Sequence, residues 1–291
     1  MAGSATAELI AASTVFQSGD PRLAILVPAG AAALSERFLA TVAPHKLRLV
    51  RWLARPGLRG AVNGLERVIL PGIQLHYAVR KRFIEDAVRS FLTSGGARVV
   101  VLGAGLDTLA IRLATQYRDV DFVEVDQPSV QNGKRRAVAG LDIRNLSLHA
   151  ADLGAGALPG VAPGPPTFFV LEGVTMYLRE ATVAATLLSC AEVGGPGSRV
   201  AWTFMNPDHR GLIGFRHSRR ALVDAWLRTG REPFIWGIED ARIPAFLRPL
   251  GLRPVTMVGA EELRARYLTP AGIGDPLAEG EEICLCEVPH A

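Results

Sequence analysis

Residues 99–108 of this 291-residue chain, Val-Val-Val-Leu-Gly-Ala-Gly-Leu-Asp-Thr, constrain its fold more than any other stretch. Val99 to Leu102 is a short, continuously apolar, β-branched run, the pattern of a parallel strand covered on both faces. It runs through Gly103-Ala104-Gly105 into an apolar-periodic segment, Leu109 to Tyr117, that reads as a helix. Glycine suits such a turn because a side chain would block a ligand from the backbone, and the helix N-terminus beyond it presents unpaired N–H groups.

The next strand-like run, Phe122 to Asp126, ends in a carboxylate 23 positions after Gly103, where a nucleotide-type site grips a ribose diol. Asp126 suits that role, and Glu124, two residues earlier on the same face, competes with it. A dinucleotide fingerprint needs a third glycine where this chain has Thr108. That disfavours NAD, although an NAD(P)-type oxidoreductase on a similar sheet stays open as the alternative. S-adenosylmethionine carries no phosphate and tolerates Asp107-Thr108. After the third strand, Asp152 can accept from an adenine amine while Leu153 covers the ring. A turn or helix cap is the plainer role for Asp152.

Strand-like and helix-like segments alternate onward: Leu146 to His149, Thr167 to Leu171, Glu180 to Glu192, Arg199 to Phe204. This is the order of an α/β, doubly wound, mostly parallel sheet. Helix Asp240 to Pro249 and strands Leu252 to Val258 and Glu282 to Val288 finish the chain. Before the sheet, residues 5–92 read as short helices broken at Pro28, Pro44, Pro56 and Pro71. The expected organisation is an N-terminal helical segment over the site (1–92), a core (93–291), and a helical cap insert at 206–236.

Composition narrows the class. Hydrophobic residues at 49% and charged residues at 21% describe a globular protein. The net charge is +4, but the basic clusters Arg80 to Arg82, Lys134 to Arg136 and Arg216 to Arg220 are short and lack interleaved aromatics, so no nucleic-acid partner is expected. Three cysteines make no disulfide framework, Asp and His do not cluster at metal-ligand spacing, and no apolar run spans a bilayer. The Met1 to Phe16 segment has no basic residue and so no signal-peptide character. A cytoplasmic protein with no metal and no membrane partner is expected.

Together, Gly103 to Thr108, Glu124-Val125-Asp126-Gln127-Pro128 and Leu171-Glu172-Gly173-Val174-Thr175-Met176-Tyr177-Leu178 resemble the leucine carboxyl methyltransferase family. The nearest branch is the bacterial one that includes polyketide O-methyltransferases. Arg80 to Phe83 and Gly230-Arg231-Glu232-Pro233-Phe234 extend the resemblance. It implies a class I methyltransferase (Rossmann-like) fold with a seven-stranded sheet and S-adenosyl-L-methionine as methyl donor. By position, Arg80 meets the donor carboxylate, Gly103 and Gly105 form the turn beneath it, Asp126 with Gln127 holds the ribose, Asp152 and Leu153 face the adenine, and Glu172 sits near the amine. Members of the branch often carry Arg where this chain has Leu109, so the acceptor side transfers least.

Methyl transfer from a sulfonium is an in-line displacement whose rate comes mainly from orientation. A carboxylate acceptor is already ionised, whereas a hydroxyl needs a base. His76, one helical turn before Arg80, is the candidate base, and Tyr177 the candidate wall of the transfer pocket. The expected activity is O-methylation of a small molecule of secondary metabolism, such as a polyketide or other carboxylic acid. A donor-binding protein without methyl transfer is a further alternative, and the oligomeric state is left open.

Overall fold

A computed structural model describes residues 4–155, 158 and 160–290. The prolines punctuate the N-terminal third as the sequence suggests. Helices α1 (Ala5–Ser18), α2 (Ala31–Val42), α3 (Pro44–Leu53), α4 (Pro56–Ile69) and α5 (Ile73–Thr93) follow one another, with Pro44 and Pro56 opening α3 and α4. Proline is favoured there because its missing N–H is unsatisfied in the first turn anyway.

The alternating part follows as β1 (Arg98–Leu102), α6 (Leu109–Gln116), β2 (Asp121–Asp126), α7 (Pro128–Val138), β3 (Leu146–Ala150), β4 (Thr167–Leu171), α8 (Glu180–Gly194) and β5 (Arg199–Met205). Helix α9 (Arg220–Thr229) lies in the expected insert, and α10 (Ile243–Leu247), β6 (Arg253–Val258) and β7 (Glu281–Glu287) close the chain. The expected helix over 240–249 is instead α10 between two short 3-10 turns. Pro244 and Pro249 each lack an N–H, and Gly251 turns left-handed at φ 70°. After β3 the chain enters a 3-10 turn, Leu153–Ala155; residues 156, 157 and 159 lie outside the described residues.

The seven strands run in the order β3-β2-β1-β4-β5-β7-β6. The first five are parallel, and β7 enters antiparallel between β5 and β6. Pro254 sits at a register shift on β6, an edge strand, where a missing donor is tolerated.

Alternation along the strands builds two apolar layers. Val99, Val101, Phe168 and Leu285 pack with Phe83 and Val88 of α5 on one face. Val100, Leu102, Phe169, Trp202, Cys284 and Cys286 pack with Val183 and Leu187 of α8 on the other. The two late cysteines share one face, as their alternation with Leu285 requires, and all three cysteines are buried thiols. A third apolar cluster joins α1, α2 and α3 to Leu106 of the β1–α6 connection and Ile111 of α6.

Candidate functional site

Because β1 to β4 are parallel, their carboxyl ends meet at one edge, and the strand order reverses between β1 and β4. Ligands of open α/β sheets bind in the crevice at such a switch point. A cavity of about 930 Å³ opens there, lined by the glycine turn, Asp126, Asp152, Glu172 and one side of α1.

The turn needs glycine for two reasons. Gly103 and Gly105 sit at φ 66° and 47°, a left-handed backbone unfavourable to other residues. A Cβ on Gly103 would also strike the Val174 side chain, and one on Gly105 would lie 3.1 Å from Ala7 Cβ. Close packing within the protein therefore demands these glycines, in addition to the ligand approach read from sequence. Gly103→Ala is expected to destabilise the fold by about 2–4 kcal/mol, the combined cost of backbone strain and overpacking, read as a lower urea midpoint. An unchanged midpoint would contradict the packing argument.

Of the two competing carboxylates, only Asp126 reaches the cavity. Its Oδ2 accepts from Gly105 N and its Oδ1 from Gln127 N, each at 2.6 Å, and Gln127 lines the wall beside it. Burial pushes the Asp126 carboxyl up, and those two backbone donors oppose the shift. Glu124 is fully buried against Lys134 Nζ at 2.6 Å and is not part of the wall. Asp152 and Leu153 both line the cavity, and Asp152 Oδ1 also accepts from Gly154 N at 2.9 Å, so it is a turn residue and a wall residue at once.

Across the turn lies a belt of charge. Arg80 donates through Nε to Glu172 Oε1 at 2.9 Å and through Nη1 to Glu281 Oε2 at 2.5 Å. Lys81 Nζ reaches Asp107 and, at 3.1 Å, Glu172. Burial would raise the Glu281 carboxyl, but Arg80 and a His76 hydrogen bond outweigh it and hold it at about 2. Asp107 is likewise held well below the carboxylate range by Lys81 against the opposing effect of burial. Sequence reasoning missed Lys81 and Glu281. Lys81 was visible inside the basic run, whereas nothing local ties Glu281 to Arg80, 201 residues away.

The expected base is not in the cavity wall. His76 is fully buried, with Nε2 2.9 Å from Glu281 Oε2 and Nδ1 without a partner. The proton belongs on Nε2, facing the carboxylate, and the ring braces Glu281 behind Arg80. Helix α5 puts His76 one turn from Arg80, as read, and both meet Glu281 Oε2, but only Arg80 is among the residues lining the cavity.

Tyr177 does line the cavity, its hydroxyl donating to Thr6 Oγ1 at 3.5 Å. Burial pushes that phenol well above its ordinary range, so it stays protonated at neutral pH. Glu232 Oε2 accepts from Thr6 N at 3.0 Å and Thr6 Oγ1 at 2.5 Å, tying the start of α1 to the segment after α9. From the insert, Gly230 to Pro233 and Ile235 reach the wall, whereas His209, Arg210, Arg216, His217, Arg219 and Arg220 do not. Among the described residues no cluster of three or more His, Cys, Asp or Glu could hold a metal.

A parallel sheet with one antiparallel strand between its fifth and sixth, a glycine turn after β1 and an acid ending β2 define the class I methyltransferase fold. The chain belongs to the leucine carboxyl methyltransferase family, whose sequence profile matches residues 34–191, more than half of its length. A protein of Mycobacterium sp. (strain JLS) named "Putative S-adenosyl-L-methionine-dependent methyltransferase" is 34% identical over 163 residues, 53% of this chain and 52% of that protein. The match thus spans about half the length of that relative. A protein of the same name from Mycolicibacterium vanbaalenii is 29% identical over 227 residues, covering 69% of this chain and 70% of that one. Among solved structures, a DUF574 family protein from Streptomyces avermitilis superposes with a TM-score of 0.58 at 15% identity, over 80% of this chain and 91% of that one. At that identity it supports the fold alone.

Proposed function

We propose that this protein is an S-adenosylmethionine-dependent O-methyltransferase of a small molecule. The observation that carries the reading is the placement of Asp126 in the switch-point cavity, facing an Arg80–Lys81–Glu172 cluster of both charge signs. That arrangement fits the donor. Asp126 retains acceptor capacity on both oxygens for ribose hydroxyls, because each oxygen is engaged by one backbone N–H. Arg80 and Lys81 suit the donor's carboxylate, and Glu172 its ammonium. Asp152 and Leu153 offer a polar acceptor and an apolar face for the adenine. Bound S-adenosylmethionine would supply an electrophilic methyl on a sulfonium.

The protein's own contribution is orientation and exclusion of water. The N-terminal helices from residue 4 and the 206–236 insert form the acceptor side: Thr6, Ile10 and Thr14 of α1, with Tyr177 and Ile235, give a wall of hydroxyl and apolar groups. Among the described residues no histidine lines the cavity, and Tyr177 is held protonated. These features favour an acceptor that arrives ionised, a carboxylic acid of the polyketide kind, over a hydroxyl that needs a base. Three buried thiols suit a reducing cytoplasm.

Calorimetric titration with S-adenosylmethionine and S-adenosylhomocysteine tests the donor, with binding of both expected; heat from neither refutes the reading. An acceptor panel then separates the classes: carboxylic acids should be methylated at a rate nearly flat above about pH 6, since their ionisation is complete there. A rate that climbs with pH on phenols alone would favour the hydroxyl reading. Donor binding with no turnover on any acceptor would favour a binding protein without methyl transfer.

A further inference from the structure

The chain's positive charge is unevenly placed. Residues 44–69 (α3 and α4) carry six Lys or Arg against Glu66 alone, and residues 209–231, through α9, carry six Arg against Asp224 alone. Each stretch is therefore net +5, while the whole chain is only +4, so the remainder is net −6. The two stretches adjoin, because Arg219 N at the start of α9 donates to Ile69 O at the end of α4, at 2.7 Å.

Large apolar side chains stand exposed among these cations. Trp52 on α3 is 48% exposed, Leu65 and Val68 on α4 are 61% and 57%, and Trp226 on α9 is 41%. Helix α4 has no buried residue at all, although its apolar residues recur with helical periodicity. Arg48, Arg55 and Arg228 make no ion pair among the described residues, whereas Lys46 is matched by Glu8, Arg51 by Glu36, Arg67 by Asp275, Arg216 by Glu279 and Arg220 by Asp224. Of the four tryptophans, the other two, Trp202 and Trp236, are buried.

We infer that the α3–α4–α9 face is a peripheral docking surface for an anionic lipid bilayer. Arginines flanking Trp and Leu are the chemistry that lies in a headgroup layer, where rings and aliphatic chains enter the interface while guanidinium groups meet lipid phosphates. A second copy of this chain is the poorer occupant, since self-contact would set the unpaired Arg48, Arg55 and Arg228 against their like. Nucleic acid would use the cations but leave Leu65, Val68 and Leu222 without a role. The protein lies on such a surface and does not span it: no helix among the described residues is long and apolar enough to cross a membrane. The segment directly after α9 lines the cavity, so the docking face borders the candidate site. The inference does not depend on methyl transfer.

The test is co-sedimentation of the full chain with phosphatidylcholine vesicles, with and without a third of phosphatidylglycerol, read alongside tryptophan emission. Binding is expected only to the anionic vesicles, weakening as salt rises, with a blue shift reduced in Trp52→Phe and again in Trp226→Phe. The triple variant Arg48→Ala, Arg55→Ala, Arg228→Ala should partition about a hundredfold less, at roughly fivefold per basic residue. These side chains are exposed, so circular dichroism should show an unchanged fold. Wild-type protein that ignores anionic vesicles would overturn the inference, as would undiminished binding by the triple variant. So would a dimer in light scattering that shields both exposed tryptophans from quencher, or tighter binding to duplex DNA than to anionic vesicles at equal salt.

Discussion

Lys134→Met is expected to lower folding stability by about 3–5 kcal/mol at pH 8 and by clearly less at pH 5, measured as urea midpoints. Lys134 and Glu124 form a fully buried pair, with Lys134 Nζ also 5.5 Å from the centre of the Phe38 ring. Removing the cation leaves a carboxylate in an apolar interior, and the cheapest escape is to bind a proton. Burial, only partly offset by Lys134, already lifts Glu124 to about 7, against an ordinary 4.5. Between those values the folded state holds a proton that the unfolded chain has released, so this group's contribution is present below about pH 4.5 and is lost as pH rises through 7. Without Lys134 the loss deepens at high pH and nearly vanishes where the acid is protonated. Lys134→Met combined with Glu124→Leu should recover most of the stability, since a matched apolar pair avoids desolvating two ions. A single-variant cost below 1 kcal/mol, or one independent of pH, would show that Lys134 does not hold the Glu124 charge in the buried interior.

Asp126→Ala is expected to weaken S-adenosylhomocysteine binding by about 1.5–3 kcal/mol, roughly ten- to a hundredfold in Kd, in calorimetry. The carboxylate is the one acidic group at the end of β2 that faces the cavity, and it receives the Gly105 and Gln127 amides, so it shapes the turn as well as the ligand contact. Asp126→Asn separates these roles, because a neutral amide keeps one acceptor oxygen while losing the charge. Its loss of affinity should exceed its loss of stability. Equal affinity in wild type and both variants would move the ribose contact to another residue.

The sheet and its switch point were legible because they rest on local patterns: β-branched runs, glycine at left-handed positions, prolines opening helices. Asp126, Asp152, Leu153, Glu172, Arg80 and Tyr177 all reach the cavity, since each lies at a strand end or on a helix whose register follows from sequence. What local pattern could not give was direction. Glu124 and Asp126 share strand parity, yet Glu124 lies beneath α7, where Lys134 waits, while Asp126 passes the strand end. His76 and Arg80 share a helix face by spacing, but β7 brings Glu281 between them and turns the histidine inward. That partner comes from the far end of the chain, and no spacing rule reaches across 201 residues.

The antiparallel placement of β7 has a consequence for biosynthesis. The edge strand β6 is made earlier but can pair only with β7, and the free side of β5 must wait for the same segment. During translation the sheet stays open on that flank until residues 281–287 emerge, and with them arrives Glu281, the second counter-ion of Arg80 beside Glu172. A ribosome stalled before that point would display a nascent chain with an unsheathed strand edge and an unfinished crevice, the form most exposed to chaperones and proteases.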